Sequence, residues 1–187
     1  MSYLENLFNE LLSKLREPGF LNPAKSDPVF YYVYPPEKIL KIKKALPRWS
    51  TRLTHAGFTV KCISLSEILW RTVDETGRWE EWLELEEYAE QNEIIGSVRD
   101  ALRNDRFINI LRDEMASASR NSVILLTEAE LLHPFFRTQL IESKLHDNVA
   151  VPVVIFYPGT RSGQYGLRFL GFYPVDGNYR STLLGGI

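Results

Sequence analysis

A single cysteine, Cys62, is present among 187 residues. One thiol forms no intrachain disulfide and, within one chain, no cysteine zinc site, so the sequence suits a reducing cytoplasm. Histidine is almost as scarce. His55, His133 and His146 are scattered, His133 directly before Pro134 at a predicted helix start and His146 near a predicted helix end, and none has a second ligand at metal-binding spacing. Excess charge is lacking too: 22 basic residues against 24 acidic ones leave a net charge of -2, so no global field recruits nucleic acid or an anionic membrane. Weak or no direct DNA binding is the expectation. No apolar run approaches the roughly 20 residues of a membrane span, and Glu5 and Glu10 interrupt the N-terminal apolar residues where a signal peptide stays uncharged. These absences describe a soluble cytoplasmic protein with no membrane contact, no metal and no cofactor expected.

What is there is ordinary globular material, 44% hydrophobic and 25% charged, at a length that fits one α/β domain over residues 1–187. Ser2 and Glu5 have capping-box spacing, and Leu4, Leu7, Phe8, Leu11, Leu12 and Leu15 recur at helical intervals, predicting a helix over 3–16. "VFYYVY" (29–34) reads as a strand buried on both faces. A helix over 37–56, interrupted by Pro47 and closed by Gly57, leads to a strand over 58–65. Residues 66–120 read as a helical insertion containing the acidic, tryptophan-rich segment around Trp70, Trp79 and Trp82, either a core-packed helix or an exposed docking face. "SVILLT" (122–127), a helix over 130–145 with Pro134 in its first turn, "VPVVIFY" (151–157) and "GLRFLGFY" (166–173) complete the chain. The alternation predicts a three-layer α/β/α domain with a mostly parallel sheet of about five strands.

That skeleton is P-loop-NTPase-like, but the phosphate chemistry is missing. No G-x-x-x-x-G-K-[ST] motif occurs, and the turn after the first strand carries Pro35 and Pro36, which remove two amide donors. Lys38 beside them reads as a solvated helix residue. "VILLTEAE" resembles a Walker B strand with Thr127 at the place of the usual aspartate; Glu128 either polarises a water or simply caps the next helix. The segment "YPGTRSGQYG" has neither a lysine nor a following helix. Its two readings are a hairpin with glycines at turn positions and a docking edge in which Tyr157, Pro158, Gly159, Arg161, Gln164 and Tyr165, with Arg168 and Arg180, meet a partner or an anion. Cys62, inside a predicted strand, reads as a small buried hydrophobe.

The succession "YVYPPEKILKIKKALPRWSTRLTHAGFTVKCISLSEILW", "VILLTEAELLHPFFRTQLIESKL", "VPVVIFYPG" and "LRFLGFYPVDGNYR" resembles the BrxB family of BREX bacteriophage-exclusion systems over about residues 29–180, departing from it mainly in 66–120. The resemblance implies a small cytoplasmic component of a bacterial antiphage system, acting beside a BREX ATPase, a phosphatase-like PglZ protein and a DNA methyltransferase. It brings no catalytic signature. Phe156 to Gly159, His133 to Arg137 and Asn178 to Arg180 are family-like positions without assigned chemistry. The expectation is a non-catalytic adaptor or assembly subunit for other BREX proteins, the PglZ protein or the ATPase among them. The alternatives are a degenerate NTPase-like regulator or enzyme using Glu128 and the loop arginines on a phosphate-containing ligand, and, disfavoured by the net charge, a DNA-contacting subunit.

Overall fold

A computed structural model describes residues 2–17, 28–103, 105–145, 149–177, 179 and 181–186. Helix α1 (Tyr3–Leu15) starts where the capping box predicts, with the Ser2 hydroxyl accepting the Glu5 backbone N–H. Its buried side is Leu4, Leu7, Phe8, Leu11 and Leu15. Strand β1 (Val29–Tyr34) is buried at every position. A 3-10 turn (Pro36–Lys38) follows and runs into α2 (Ile39–His55). Pro47 does not interrupt α2. It lacks the N–H that would bond the Lys43 carbonyl, but the helix is held on both sides of the gap by buried Ile42, Trp49 and Leu53. Gly57, at φ 97°, closes α2 in a Schellman motif: Phe58 N–H donates to the Leu53 carbonyl at 3.1 Å and Gly57 N–H to that of Thr54 at 3.0 Å.

From β2 (Thr59–Ser64) the chain passes through α3 (Leu65–Asp74), α4 (Trp79–Glu86), α5 (Gln91–Leu102) and α6 (Arg106–Ala116) to β3 (Ser122–Thr127). The helical stretch is thus the crossover between two strands that pair in parallel. After β3 the single helix expected over 130–145 is divided. A 3-10 turn (Ala129–Leu132) ends at His133, which is extended because the ring of Pro134 disfavours a helical residue before it; α7 (Thr138–Leu145) starts only afterwards. Strand β4 (Val153–Ser162), β5 (Gly166–Phe169), β6 (Val175–Asp176) and β7 (Thr182–Gly185) complete the order.

Among the described residues seven strands form the sheet, more than the five expected. Five run parallel in the order β2-β3-β4-β1-β7. β5 pairs antiparallel with the far end of β4, and β6 with β5. β5 stops at Phe169, short of the expected 173, because Leu170 and Gly171 take positive φ and turn the chain. Alternate side chains of the central strands face opposite layers. Phe30, Tyr32, Val154 and Phe156 pack on α1 and α2, whereas Tyr31, Val33, Ile155 and Tyr157 face the side of α3 to α7. Edge strand β2 is incompletely covered, and this corrects the expectation for Cys62: it is exposed, with the Ser50 hydroxyl 3.7 Å from its sulfur. No helix among the described residues is long and apolar enough to cross a membrane.

Candidate functional site

The carboxyl ends of parallel strands form the rim where α/β sheets usually bind ligands. Here β1 ends at Tyr34, β2 at Ser64 and β3 at Thr127, and the following residue, Glu128, is turned by a left-handed backbone (φ 62°) toward its neighbours. Ser64 donates to Glu128 Oε2 at 2.6 Å, Ser66 to the same oxygen at 2.7 Å, and Lys43 Nζ reaches Oε1 at 2.9 Å. Glu130 lies 3.1 Å from the same ammonium. Ser64, Lys43, Glu128 and Glu130, together with Tyr34 and Phe156, wall a cavity of about 270 Å³ under α2.

The charges there answer one another. The Ser64 hydrogen bond, followed by those from Lys43 and Ser66, holds the Glu128 carboxyl down to about 2, and Glu128 in turn raises the Lys43 ammonium. A carboxylate so strongly held as an anion has little basicity to give a water or a hydroxyl. Ser64 also accepts the Glu67 N–H at 3.1 Å and so caps α3. The cluster therefore binds β2, β3, α2 and α3 together at the rim. Glu128 is legible in the sequence, but Lys43, Ser64 and Ser66 were not singled out; the one local signal was a Ser-x-Ser at a strand end entering a helix.

The residues expected as a docking edge separate into two groups. Tyr157, Pro158 and Gly159 are buried within β4, which does not end at Tyr157 but continues to Ser162. Pro-Gly reads locally as a turn, whereas here the chain stays extended and Gly159 pairs opposite Phe169. The turn lies at 163–165, with Gly163 at φ 67°. Gln164, Tyr165 and Arg168 are exposed. Arg161 is half-buried, its backbone N–H bonded to the Gly186 carbonyl at 2.9 Å. Arg180 and Asn178 lie outside the described residues, as does His146.

Lys38 is half-buried at the end of its 3-10 turn. His133 contacts the Tyr173 hydroxyl through Nδ1 and packs edge-on against Phe172. Burial, then the nearby Arg137 and Arg99, push its pKa below the usual histidine value. Among the described residues no three His, Cys, Asp or Glu side chains gather as metal ligands.

No curated protein and no solved structure matches this chain. A family model described as BREX protein BrxB matches residues 61–184. The match begins inside β2 and ends inside β7, so the 66–120 segment lies within its bounds. It also takes in the rim residues Ser64, Ser66 and Glu128 and the whole β4–β5 hairpin. With two thirds of its length covered, the chain belongs to the BrxB family and is a component of BREX antiphage defence.

Proposed function

We propose that this BrxB chain is a non-catalytic cytoplasmic adaptor that helps assemble other BREX proteins, the PglZ phosphatase-like protein or the BREX ATPase, and that the β4–β5 hairpin is its docking edge. The observation that carries this is the hairpin tip, where Tyr165 stands 57% exposed beside exposed Gln164 and Arg168. Tyrosine and arginine are the residue types that most often anchor interfaces. Tyr157, Pro158 and Gly159 support the tip from within the sheet and Arg161 from its base. The rim agrees with a non-catalytic role, since the Glu128 carboxylate is already neutralised by its partners.

The test is Tyr165→Ala combined with Arg168→Glu in the native host. Exposed substitutions change stability by about 0.5 kcal/mol or less, so thermal unfolding stays nearly unchanged while copurification of BREX partners weakens. Full copurification together with full phage protection would reduce the hairpin to a turn. A second reading, a degenerate NTPase-like regulator on a P-loop-like skeleton, is favoured by one observation: Lys43, Ser64 and Glu128 surround a cavity at the carboxyl ends of the strands. Nucleotide titration separates the two.

A further inference from the structure

The β2–β3 crossover carries a surface that the hairpin does not use. From Trp79 to Glu93 the chain has seven carboxylates and neither lysine nor arginine, in a protein whose net charge is only -2. All seven are exposed, and among the described residues only Glu81 has an ion pair, with Arg78. Within this acidic surface, α3, α4 and α5 leave a groove of about 280 Å³ walled by Trp70, Trp79, Leu83, Ile94 and Ile95, with Glu86 also in its wall. Trp79, Leu83 and Glu86 follow at helical spacing, so α4 presents two apolar anchors and a carboxylate along one stripe.

Three large apolar side chains meet solvent together there: Trp70 is 46%, Trp79 42% and Leu83 59% exposed. Scattered exposure of this kind is commonplace, but a contiguous apolar patch with a polar rim marks an interaction site. The rings are also fixed in advance. Trp79 stacks on Trp70 with centroids 6.0 Å apart, its indole N–H donates to Asp74 Oδ1 at 2.7 Å, and that of buried Trp82 to Ser97 Oγ at 3.0 Å. A partner therefore meets ordered rings and loses little side-chain entropy on their account.

We propose that this groove docks a basic amphipathic helix of a partner protein, its apolar side chains on Trp70, Trp79 and Leu83 and its lysines or arginines over the surrounding glutamates. The inference rests on the adaptor reading, to which it adds a second surface on different elements. The volume is just below the roughly 300–1,000 Å³ of small-molecule sites, which suits one or two side-chain anchors. An acidic rim repels nucleic acid and anionic bilayers alike. A groove between helices takes a helix by its i, i+3, i+4 and i+7 side chains, and tryptophan is a dominant anchor in such contacts.

The experiment uses the full chain and an 18-residue Leu–Lys amphipathic peptide as probe, with a Leu–Glu counterpart and a scrambled Leu–Lys peptide as controls. Tryptophan emission and calorimetry report binding, since Trp70, Trp79 and Trp82 lie at the groove and Trp49 is buried in the opposite layer. Only the ordered Leu–Lys helix should bind, and high salt should weaken it about tenfold or more as the rim is screened. Leu83→Asp, and separately Glu86→Lys with Glu87→Lys, should each weaken it about tenfold at unchanged melting temperature, these sites being exposed. Equal binding of the Leu–Glu or scrambled peptide, or no effect of the charge reversal, overturns the proposal. So does a wild-type dimer that Leu83→Asp makes monomeric, which would make a second copy the occupant. Failure here with BREX copurification intact sinks only the groove, whereas a wild-type chain that copurifies no BREX protein sinks the adaptor reading while the peptide titration still decides the groove.

Discussion

Lys43 Nζ lies 2.9 Å from Glu128 Oε1, so a single ion pair ties the second turn of α2 to the residue that leaves β3. The other oxygen of Glu128 accepts Ser64 and Ser66, which brings the end of β2 and the start of α3 into the same cluster. A sheet rim that in many α/β proteins is open to ligand is here crossed by structural bonds.

Acid should release that cluster. The Glu128 carboxyl sits at about 2 in the folded chain, against roughly 4.3 in an unfolded one. A depressed carboxylate stabilises the fold above its unfolded value, and the contribution is lost as pH falls from about 4.3 toward 2. Glu128→Gln should cost about 1–2 kcal/mol at neutral pH, the size of hydrogen bonds to a charged group with part of the site wet. Urea unfolding at a series of pH values is the measurement. The wild-type and Glu128→Gln curves should converge toward pH 2, and curves that stay parallel through that range would show that Glu128 is not the group involved.

The N-terminal helix depends on one indole. Phe8 stacks on Trp49 with centroids 4.8 Å apart and planes within 4°, and Trp49 Nε1 donates to Glu5 Oε1 at 3.0 Å. Arg52 reaches the other Glu5 oxygen at 3.1 Å. Trp49→Ala should therefore cost about 3–5 kcal/mol as a buried aromatic truncation, and the cut sites in α1 should become the first to yield to limited proteolysis. Tyr32→Phe, which removes the hydroxyl donated to the Leu4 carbonyl at 2.7 Å, should cost only about 1 kcal/mol. If α1 is no easier to cleave in Trp49→Ala, α1 is held by its contacts with β1 and β7 instead.

Local signals and tertiary ones divide the chain clearly. α1, β1, β3 and the Gly57 stop were legible because a capping box, an unbroken apolar run and a C-terminal glycine are each complete within a few residues. β6 and β7 were missed because two and four residues carry no period; they form strands only because β5 and β1 present open edges. Pro158-Gly159 misled in the other direction, a turn dipeptide kept extended by β5. At the rim, Glu128 stood out beside its strand, but its partners come from 85, 64 and 62 residues away. No periodicity encodes a contact at that separation.

Gly159 offers a sharper test of the hairpin. A Cβ there would lie 2.3 Å from the Arg168 carbonyl oxygen and 2.6 Å from the Tyr157 ring, so β4 and β5 come together only over a hydrogen atom. Gly159→Ala should cost about 1–3 kcal/mol through forced separation of the strands. Gly163 is the natural control: it has positive φ but nothing within 4 Å of a built Cβ, so Gly163→Ala carries only the left-handed penalty of about 1–2 kcal/mol. Chemical unfolding of both variants, with amide exchange across β5, should show loss of β5 protection in Gly159→Ala alone. Equal protection in the two would mean that the hairpin adjusts freely and that Gly159 is dispensable.

Nucleotide titration decides between the adaptor and the regulator. Triphosphate binding at a strand-to-helix turn relies on backbone amides, a free lysine and a hydroxyl for magnesium. Pro35 and Pro36 remove two of those amides after β1, and Lys43, the lysine nearest the rim cavity, already faces Glu128 and Glu130. A phosphate arriving there would have to displace Glu128 from an ammonium and two hydroxyls, and would meet the negative charge it displaced. Calorimetry with magnesium ATP and magnesium GTP should therefore show no binding tighter than about 10 μM, about -7 kcal/mol, and no release of phosphate. Lys43→Ala should leave that result unchanged while lowering the melting temperature, because the lysine's partner is the protein's own carboxylate. Saturable binding below that threshold, abolished by Lys43→Ala, would instead make the rim a ligand site and put the regulator reading first.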